Sequence, residues 1–175
     1  MRSIGIFGGT FDPIHYGHLR TALELKSLLD LEKVHIVPCA DPPHRTAPMS
    51  DGALRLRMVE AAIRNERGFV ADDRELRRAG VSYTIDTLAS FRAELPGQSL
   101  CLLLGMDAFL GLPQWPRWRE LTTLAHIVVA HRLGWAARTT GTLGEPLRDL
   151  RAPSVADLHS KAAGFIHVQP VTQLE

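Results

Sequence analysis

Short runs of apolar residues alternate along the chain with segments whose apolar positions recur at helical spacing. The short runs are apolar on both faces and predict buried strands, whereas the periodic segments predict amphipathic helices. The predicted strands are Ile4–Phe7, Val34–Val37, Phe69–Ala71, Leu100–Leu104, Ile127–Ala130 and Phe165–Val168. The predicted helices cover residues 17–29, 50–64 with Ser50 as N-cap, 84–95 and 115–124. Residues 39–48 are rich in proline and predict a loop, and residues 133–164 have poor periodicity, which predicts a loop with at most a short helix.

Strands that alternate with helices are typical of a parallel sheet covered by helices on both faces. The pattern therefore predicts an α/β fold, a Rossmann-like doubly wound sheet, in a single domain over residues 1–175. Ligands of such sheets bind beyond the carboxyl ends of the strands, where the strand order reverses. The chemistry is expected to follow the strands that end near Phe7, Val37, Leu104 and Ala130.

Composition and charge narrow the class of protein. Of the 175 residues, 45% are hydrophobic and 22% are charged, which suits a folded domain and excludes a disordered chain. Lys and Arg number 20 against 19 Asp and Glu, so the net charge of +1 gives no general field for holding nucleic acid. Cys39 and Cys101 are too few for a disulfide framework or a cysteine-based zinc site.

Neither a membrane segment nor a signal peptide is expected. No stretch approaches the roughly 18–20 uninterrupted apolar residues that span a bilayer. The start of the chain lacks the apolar core of about 7–15 residues found in signal peptides. We therefore expect a cytoplasmic protein with reduced thiols and no membrane partner.

The turn after the first strand concentrates unusual residues. Residues 8–18 read Gly-Gly-Thr-Phe-Asp-Pro-Ile-His-Tyr-Gly-His and lead into the first predicted helix. Glycines let backbone amides approach a ligand, and a helix N-terminus offers unpaired N–H groups with a positive dipole end. His15 and His18, three residues apart at that entry, can face one anion, and Gly17 leaves room between them. The turn indicates a site that stabilises a phosphoryl group during transfer.

Other interpretations of this turn fit the residues less well. Histidines that only cap the helix would not require two glycines and Thr10 beside them. A metal site would need further ligands, and Asp12 alone beside the two histidines does not complete a set in the sequence, so no protein metal ligands are predicted. A Walker A loop would end in Gly-Lys-Ser/Thr, which is missing here.

The same turn resembles the signature of the nucleotidyltransferase superfamily, whose core is a His-x-Gly-His turn. Together with three later stretches of the sequence, this turn resembles the bacterial nicotinate-nucleotide adenylyltransferase family. The resemblance extends from residue 3 to about residue 132 and returns near Phe165. It implies catalytic roles for His15, His18 and Thr10. The resemblance and the loop chemistry together predict ATP-binding residues at Gly8, Gly9, Thr10, Phe11, His15, Gly17, His18, Gly105, Asp107 and Arg132.

In the family, the equivalents of the three later stretches bind the second substrate. Pro42-Pro43-His44-Arg45 follows the second strand, and the family's equivalent borders the nucleotide substrate. Ser82 or Thr84 is suited to cap the helix that starts there, and the family's equivalents of Tyr83 and Thr84 contact the nicotinate carboxylate. Trp115, expected at a helix start, corresponds to the family's tryptophan that stacks on the pyridine ring, whereas Trp118 is assigned to the core. The predicted nicotinate mononucleotide-binding residues are His44, Arg45, Tyr83, Thr84 and Trp115.

Two further site residues are predicted from their positions at the ends of strands. Asp107 follows the central strand, where an acceptor suits ribose hydroxyls. Arg132 follows the fifth strand and matches a family arginine near the phosphates, although an arginine that caps a helix would fit equally well.

The resemblance implies adenylyl transfer from ATP to nicotinate mononucleotide, with Mg²⁺ on the triphosphate. Two alternatives stay open: an adenylyltransferase for another phosphate, such as phosphopantetheine, and a nucleotide-binding module without catalysis. Trp115 with the Tyr83–Thr84 pair argues against the first, and the intact His15 and His18 argue against the second.

The end of the sequence departs from the family pattern. The family follows its last strand with a Ser/Thr-rich segment that ends in Ile-Arg at a helix start, whereas this sequence ends at Glu175. We expect a chain that stops there to bind ATP weakly, to turn over little and to expose an apolar patch.

Overall fold

The computed structural model describes residues 1–43, 46–132 and 141–172. Its strands are β1 (Ile4–Gly9), β2 (Lys33–Pro38), β3 (Phe69–Ala71), β4 (Leu100–Gly105), β5 (His126–Arg132) and β6 (Ile166–Val171). Its helices are α1 (Tyr16–Leu28), α2 (Gly52–Ile63), α3 (Arg74–Arg77), α4 (Thr84–Glu94), α5 (Met106–Leu110), α6 (Leu121–Leu124), α7 (Gly144–Asp149) and α8 (Val155–Leu158). All six predicted strands are therefore present.

The strands form one parallel sheet in the order β3-β2-β1-β4-β5-β6. β1 pairs with β2 on one side and with β4 on the other, so the order reverses next to β1. The loops after β1 and β4 diverge there and open a crevice at the carboxyl edge of the sheet. The predicted doubly wound α/β sheet is confirmed.

Each face of the sheet buries its own apolar cluster. Alternate residues of β5 separate to the two faces: Ile127 and Val129 pack on the side of α4, and Val128 packs on the side of α1. Phe91 of α4 and Leu25 of α1 are fully buried in these two clusters. Because central strands are covered on both faces, they appear in the sequence as uninterrupted apolar runs.

The region from Trp115 to Leu124 is not the single helix that the sequence predicts. It holds two short 3₁₀ helices, Leu112–Gln114 and Trp118–Glu120, followed by α6. Trp115 is extended, with φ −80° and ψ 141°, because it precedes Pro116 and the proline ring disfavours helical backbone in the residue before it. Arg117 has a positive φ of 54°, which also interrupts a helix.

Three other local predictions need correction. The N-cap of α2 is Asp51, not Ser50, and Asp51 Oδ1 accepts a 2.7 Å hydrogen bond from Leu54 N. The sequence pattern also misses α3 and α5, which are too short to show a helical period. After residue 132 the sequence predicts a loop with at most one short helix, whereas the structure has two helices there, α7 and α8. Residues 133–140 lie outside the described residues.

A buried carboxylate ties β3 to α4. Asp72 accepts two hydrogen bonds from the Arg74 guanidinium, at 2.9 and 3.0 Å, and another from His35 Nδ1 at 2.9 Å. Arg74 in turn lies 3.4 Å above the Phe91 ring and bonds to Glu94. Burial alone would raise the pKa of Asp72, but the hydrogen bonds from His35 and Arg74 outweigh burial and hold that pKa far below its ordinary value.

This network predicts a pH-dependent stability difference. The Asp72→Asn variant should be less stable than the parent protein by about 2–3 kcal/mol at pH 7, measured by urea unfolding. A lowered folded pKa stabilises the native state fully above the unfolded value of about 3.9, so the difference should shrink as the pH falls below about 4. Asp73→Asn is the control, because Asp73 pairs with Arg77 at the surface and should change stability little. An equal, pH-independent loss in both variants would contradict this account.

Among the described residues, none of the helices combines the length and the hydropathy needed to cross a membrane.

Candidate functional site

The turn after β1 is held in a strained and closely packed conformation. Phe11 adopts a positive φ of 49°, and its ring is only 2% exposed. A Cβ added to Gly9 would lie 2.9 Å from that ring, so the ring occupies the space that a side chain would need. Asp12 accepts hydrogen bonds from Met49 N at 2.7 Å and Ser50 N at 3.2 Å, which tie the turn to the segment before α2. Hydrogen bonds from Ser50, joined by that from Met49, lower the pKa of Asp12.

The two histidines form the N-terminal cap of α1. His15 is the N-cap, and its Nδ1 accepts a 3.1 Å hydrogen bond from Gly17 N. His18 Nδ1 accepts in return from His15 N at 3.3 Å. Because a backbone N–H can only donate, Nδ1 of each neutral ring is unprotonated and Nε2 carries the proton. The cap therefore fixes which nitrogen of each imidazole donates hydrogen bonds.

The imidazole rings are also held in place by packing. Their centroids lie 3.8 Å apart with an angle of 26° between the planes, and the His18 ring meets the Phe11 ring edge-on at 5.1 Å. A Cβ added to Gly17 would lie 2.9 Å from His15 Cε1, so glycine is required at this position for the His15 ring to stay where it is. His15 is exposed and His18 is half-buried, and both stand at the positive end of the α1 dipole.

A cleft of about 370 Å³ opens beside this turn, between the carboxyl ends of β1 and β4. It brings together eight of the residues that the sequence predicts for the site: Gly8, Gly9, Thr10, Tyr83, Thr84, Gly105, Asp107 and Trp115. A Cβ at Gly105 would meet nothing within 4 Å, so the main chain there is open to the cleft. The cleft therefore brings the glycine-containing turn after β1 together with the Trp115 side chain and the start of α4.

Other predicted residues lie away from the lining of this cleft or outside the described residues. Phe11, His15, Gly17 and His18 belong to the turn and to the start of α1, next to Thr10. Arg132 ends β5 and shares a strand face with Val128 and Ala130, which pack on the side of α1. His44 and Arg45 lie outside the described residues, although Pro42 and Pro43 just before them line the cleft.

The start of α4 is built differently from the sequence prediction. Neither Ser82 nor Thr84 is the N-cap; Tyr83 is, and it makes no capping hydrogen bond through its side chain. The Ser82 hydroxyl instead accepts from Ala40 N at 3.0 Å, and Ser82 N donates to Asp41 O at 3.0 Å. The start of α4 therefore has no side-chain cap, and its residues Tyr83 and Thr84 line the cleft.

Two charged residues near the cleft are not predicted as site residues from the sequence. Glu75 is only 7% exposed, lines the cleft and accepts a 3.0 Å hydrogen bond from the Thr87 hydroxyl. Burial raises the pKa of Glu75, although hydrogen bonds from Thr87 and Ser82 oppose this effect. Arg55 is 1% exposed and bonds to the Thr10 carbonyl. Neither belongs to a motif that would single it out in the sequence, because Arg55 lies within an amphipathic helix and Glu75 lies in a polar stretch.

Comparison with known proteins assigns the chain to a family. The cytidylyltransferase-like family model matches residues 6–165. A protein of Methylococcus capsulatus named probable nicotinate-nucleotide adenylyltransferase is 46% identical over 172 residues, which are 98% of this chain and 82% of that protein. One of Aeromonas hydrophila with the same name is 49% identical over 163 residues, 93% of this chain and 76% of that protein. The chain belongs to the nicotinate-nucleotide adenylyltransferase family. The predicted resemblance to this family is thus confirmed.

Solved structures show the same fold. The Plasmodium falciparum nicotinic acid mononucleotide adenylyltransferase complexed with NaAD superposes with a TM-score of 0.73. The match covers 100% of this chain and 78% of that one at 17% identity. The nicotinate-nucleotide adenylyltransferase family fold is therefore shared at low sequence identity.

The described residues of this nicotinate-nucleotide adenylyltransferase family member contain no group of three or more His, Cys, Asp or Glu side chains able to hold a metal ion. A divalent cation that accompanies a nucleotide keeps mostly phosphate and water ligands.

Proposed function

We propose that the protein transfers the adenylyl group of ATP to nicotinate mononucleotide, which gives nicotinate adenine dinucleotide and pyrophosphate. The observation that carries this proposal is the cleft between β1 and β4, because its lining places Thr10 of the first turn in one space with Trp115 and the start of α4. The names of the relatives, and the NaAD bound by the P. falciparum neighbour, support the choice of substrates.

In this proposal, ATP lies on the first turn and the end of β4. The backbone amides around Gly8, Gly9 and Phe11 and the start of α1 would bind the triphosphate. Asp107, at the end of β4, would accept hydrogen bonds from ribose hydroxyls beside the open main chain of Gly105. Arg132 lies on the α1 side of the sheet and would contact the phosphates from the end of β5. Mg²⁺ would enter as part of the nucleotide substrate.

Nicotinate mononucleotide would occupy the other side of the cleft. Its pyridine ring would stack on Trp115, and its carboxylate would bind the first amides of α4 and the Thr84 hydroxyl. His44 and Arg45 follow the cleft-lining Pro42 and Pro43 and would border this substrate.

The reaction needs positioning and charge stabilisation more than acid–base chemistry. A phosphate oxygen of nicotinate mononucleotide attacks the α-phosphorus of ATP in line, the new P–O bond forms, and the bond to the bridging oxygen of pyrophosphate breaks. That attacking phosphate is already ionised at neutral pH, so no general base is required. His15 and His18 present Nε2–H, which would donate to the oxygens of the α-phosphate and of the leaving group as charge builds on them.

A pyrophosphate-release assay tests the function directly. The protein is incubated with Mg²⁺-ATP and, separately, nicotinate mononucleotide, nicotinamide mononucleotide or phosphopantetheine. We expect release to be fastest with nicotinate mononucleotide. Faster release with phosphopantetheine, or ATP binding without release, would refute the proposal in favour of another transferase or of a binding module.

Trp115 provides a sharper test of the pyridine site. Trp115→Ala should raise the KM for nicotinate mononucleotide about tenfold and leave the KM for ATP within about twofold, because stacking on an aromatic ring contributes about 1–3 kcal/mol per base. Trp118→Ala is the matched control, since Trp118 packs against the core and under the Arg119 guanidinium. An equal change in both variants, or none in Trp115→Ala, would show that Trp115 does not bind the ring.

A further inference from the structure

One arginine is buried where the loops of the site meet. The Arg55 guanidinium donates through Nη1 to Thr10 O at 2.8 Å and to Cys39 O at 2.7 Å. Its Nε donates to Ser50 O at 3.1 Å. The Thr10 carbonyl follows β1, the Cys39 carbonyl follows β2, and the Ser50 carbonyl precedes α2. A single side chain therefore joins the two loops at the carboxyl ends of β1 and β2.

Arg55 forms no direct ion pair with a carboxylate among the described residues, although its charge reaches Asp12, whose pKa it helps to lower. Burying an ion without a directly paired counter-ion is costly, even when neutral carbonyls accept its hydrogen bonds. An anion bound on the neighbouring loop would offset that cost, since Coulomb interactions are strong where water is excluded.

The bond to Thr10 acts on the strained part of the turn. The Thr10 carbonyl belongs to the same peptide group as the Phe11 N–H, and Phe11 has the positive φ of 49°. Such backbone is energetically unfavourable and persists only where its surroundings fix it. Arg55 fixes this peptide plane. A donor on its carbonyl also polarises the peptide, which strengthens its N–H as a donor to phosphate.

We propose that Arg55 is a positioning residue for the ATP phosphates. It holds the peptide between Thr10 and Phe11 in its anion-binding orientation and supplies a buried positive charge beneath the loop. This inference rests on the proposed function and assigns to α2 a role in binding ATP that no motif in the sequence indicates.

Arg92 offers a matched control at the other end of the sheet. Its guanidinium likewise donates to backbone carbonyls, those of Leu124, Leu95, Gln98 and Ala162. Gln98 and Leu124 precede β4 and β5, so this cluster lies at the amino ends of the strands, away from the site. Loss of Arg92 removes comparable hydrogen bonds without touching the first turn.

The test compares Arg55→Lys and Arg55→Met with Arg92→Lys and Arg92→Met. We expect Arg55→Lys to raise the KM for ATP about tenfold, because an ammonium cannot serve three carbonyls in a planar fork, and to leave the KM for nicotinate mononucleotide within about twofold. Arg55→Met should raise it further. The Arg92 variants should lower Tm by a similar amount and leave both KM values within about twofold of the parent protein.

Calorimetric titration of ATP alone separates this inference from the proposed function. If the parent protein turned over no mononucleotide, the proposed function would fail, while a weaker ATP Kd in folded Arg55→Lys, with a normal Kd in Arg92→Lys, would still support Arg55. A normal ATP Kd and KM in folded Arg55→Lys would overturn the inference. So would an equal weakening in the Arg92 variants. If Arg55→Met does not fold, Arg55→Lys decides the question.

Discussion

Replacing His18 with alanine should lower kcat by about a hundredfold or more while the KM for ATP stays within about threefold, the pattern expected when a transition-state donor is lost. The reason lies in the cap of α1. His18 Nδ1 accepts from His15 N, so in the proposed mechanism Nε2 is the nitrogen that would donate to charge developing on the phosphates. The measurement is steady-state kinetics of pyrophosphate release, with folding checked by Tm.

Two further variants separate chemistry from folding. His18→Asn keeps an acceptor within reach of His15 N and so preserves the cap, yet it should lose kcat to a similar degree. His167→Ala is the control, because His167 lies on β6 and bonds to Gln169, far along the sheet from the first turn. Near-normal kcat in a folded His18→Ala protein would remove His18 from the reaction.

Nicotinate mononucleotide should exceed its amide by more than tenfold in kcat/KM. Tyr83 at the N-cap of α4 makes no side-chain capping bond, so the first amides of the helix and the Thr84 hydroxyl can bind a carboxylate at the positive end of the dipole. Hydrogen bonds to a charged group contribute roughly 1.5–3 kcal/mol, which is enough for that ratio. The measurement is kcat/KM for the two mononucleotides at saturating ATP.

The Thr84→Val variant locates this preference. It preserves the shape of the side chain and removes the hydroxyl, so the ratio of acid to amide should fall several-fold while ATP binding is unchanged. Thr172→Val, whose hydroxyl bonds to Glu24 beyond the end of β6, should keep the parental ratio. Equal use of both mononucleotides by the parent protein would refute the assignment of the α4 start to the carboxylate.

The parts of the site that sequence could predict are those in which local chemistry decides the structure. The glycines, Thr10 and the two histidines lie within one turn, and the apolar run before them ends at the carboxyl edge of a buried strand, so both their grouping and their place follow from neighbouring residues. The gathering of Asp107 and Trp115 beside Thr10 depends on the strand order, which the pattern along the chain does not predict and the sheet shows.

What sequence could not predict depends on contacts between distant segments. Arg55 lies 45 residues from Thr10 along the chain, and its neighbours in α2 form an ordinary amphipathic helix. Glu75 is a buried cleft residue because the fold brings α3 within reach of α4, where the Thr87 hydroxyl donates to its carboxylate. The backbone at Trp115 was mispredicted for a local reason, because Pro116 disfavours a helical conformation in the residue before it. A pattern of apolar positions over ten residues does not detect this effect of a single proline.

The cap of α1 also gives a reason, under the proposed mechanism, for a histidine at position 15 where other residues cap helices better. Aspartate, for example, would satisfy Gly17 N with a carboxylate oxygen, and an ionised carboxylate has no proton to donate to a phosphate. An imidazole carries two nitrogens on opposite sides of one rigid ring, so it can close the helix with one and address a phosphate with the other. Under the proposed mechanism, selection for a more stable helix and selection for turnover would act on the same side chain, and a substitution that strengthens the helix start would remove the proposed donor to the phosphate.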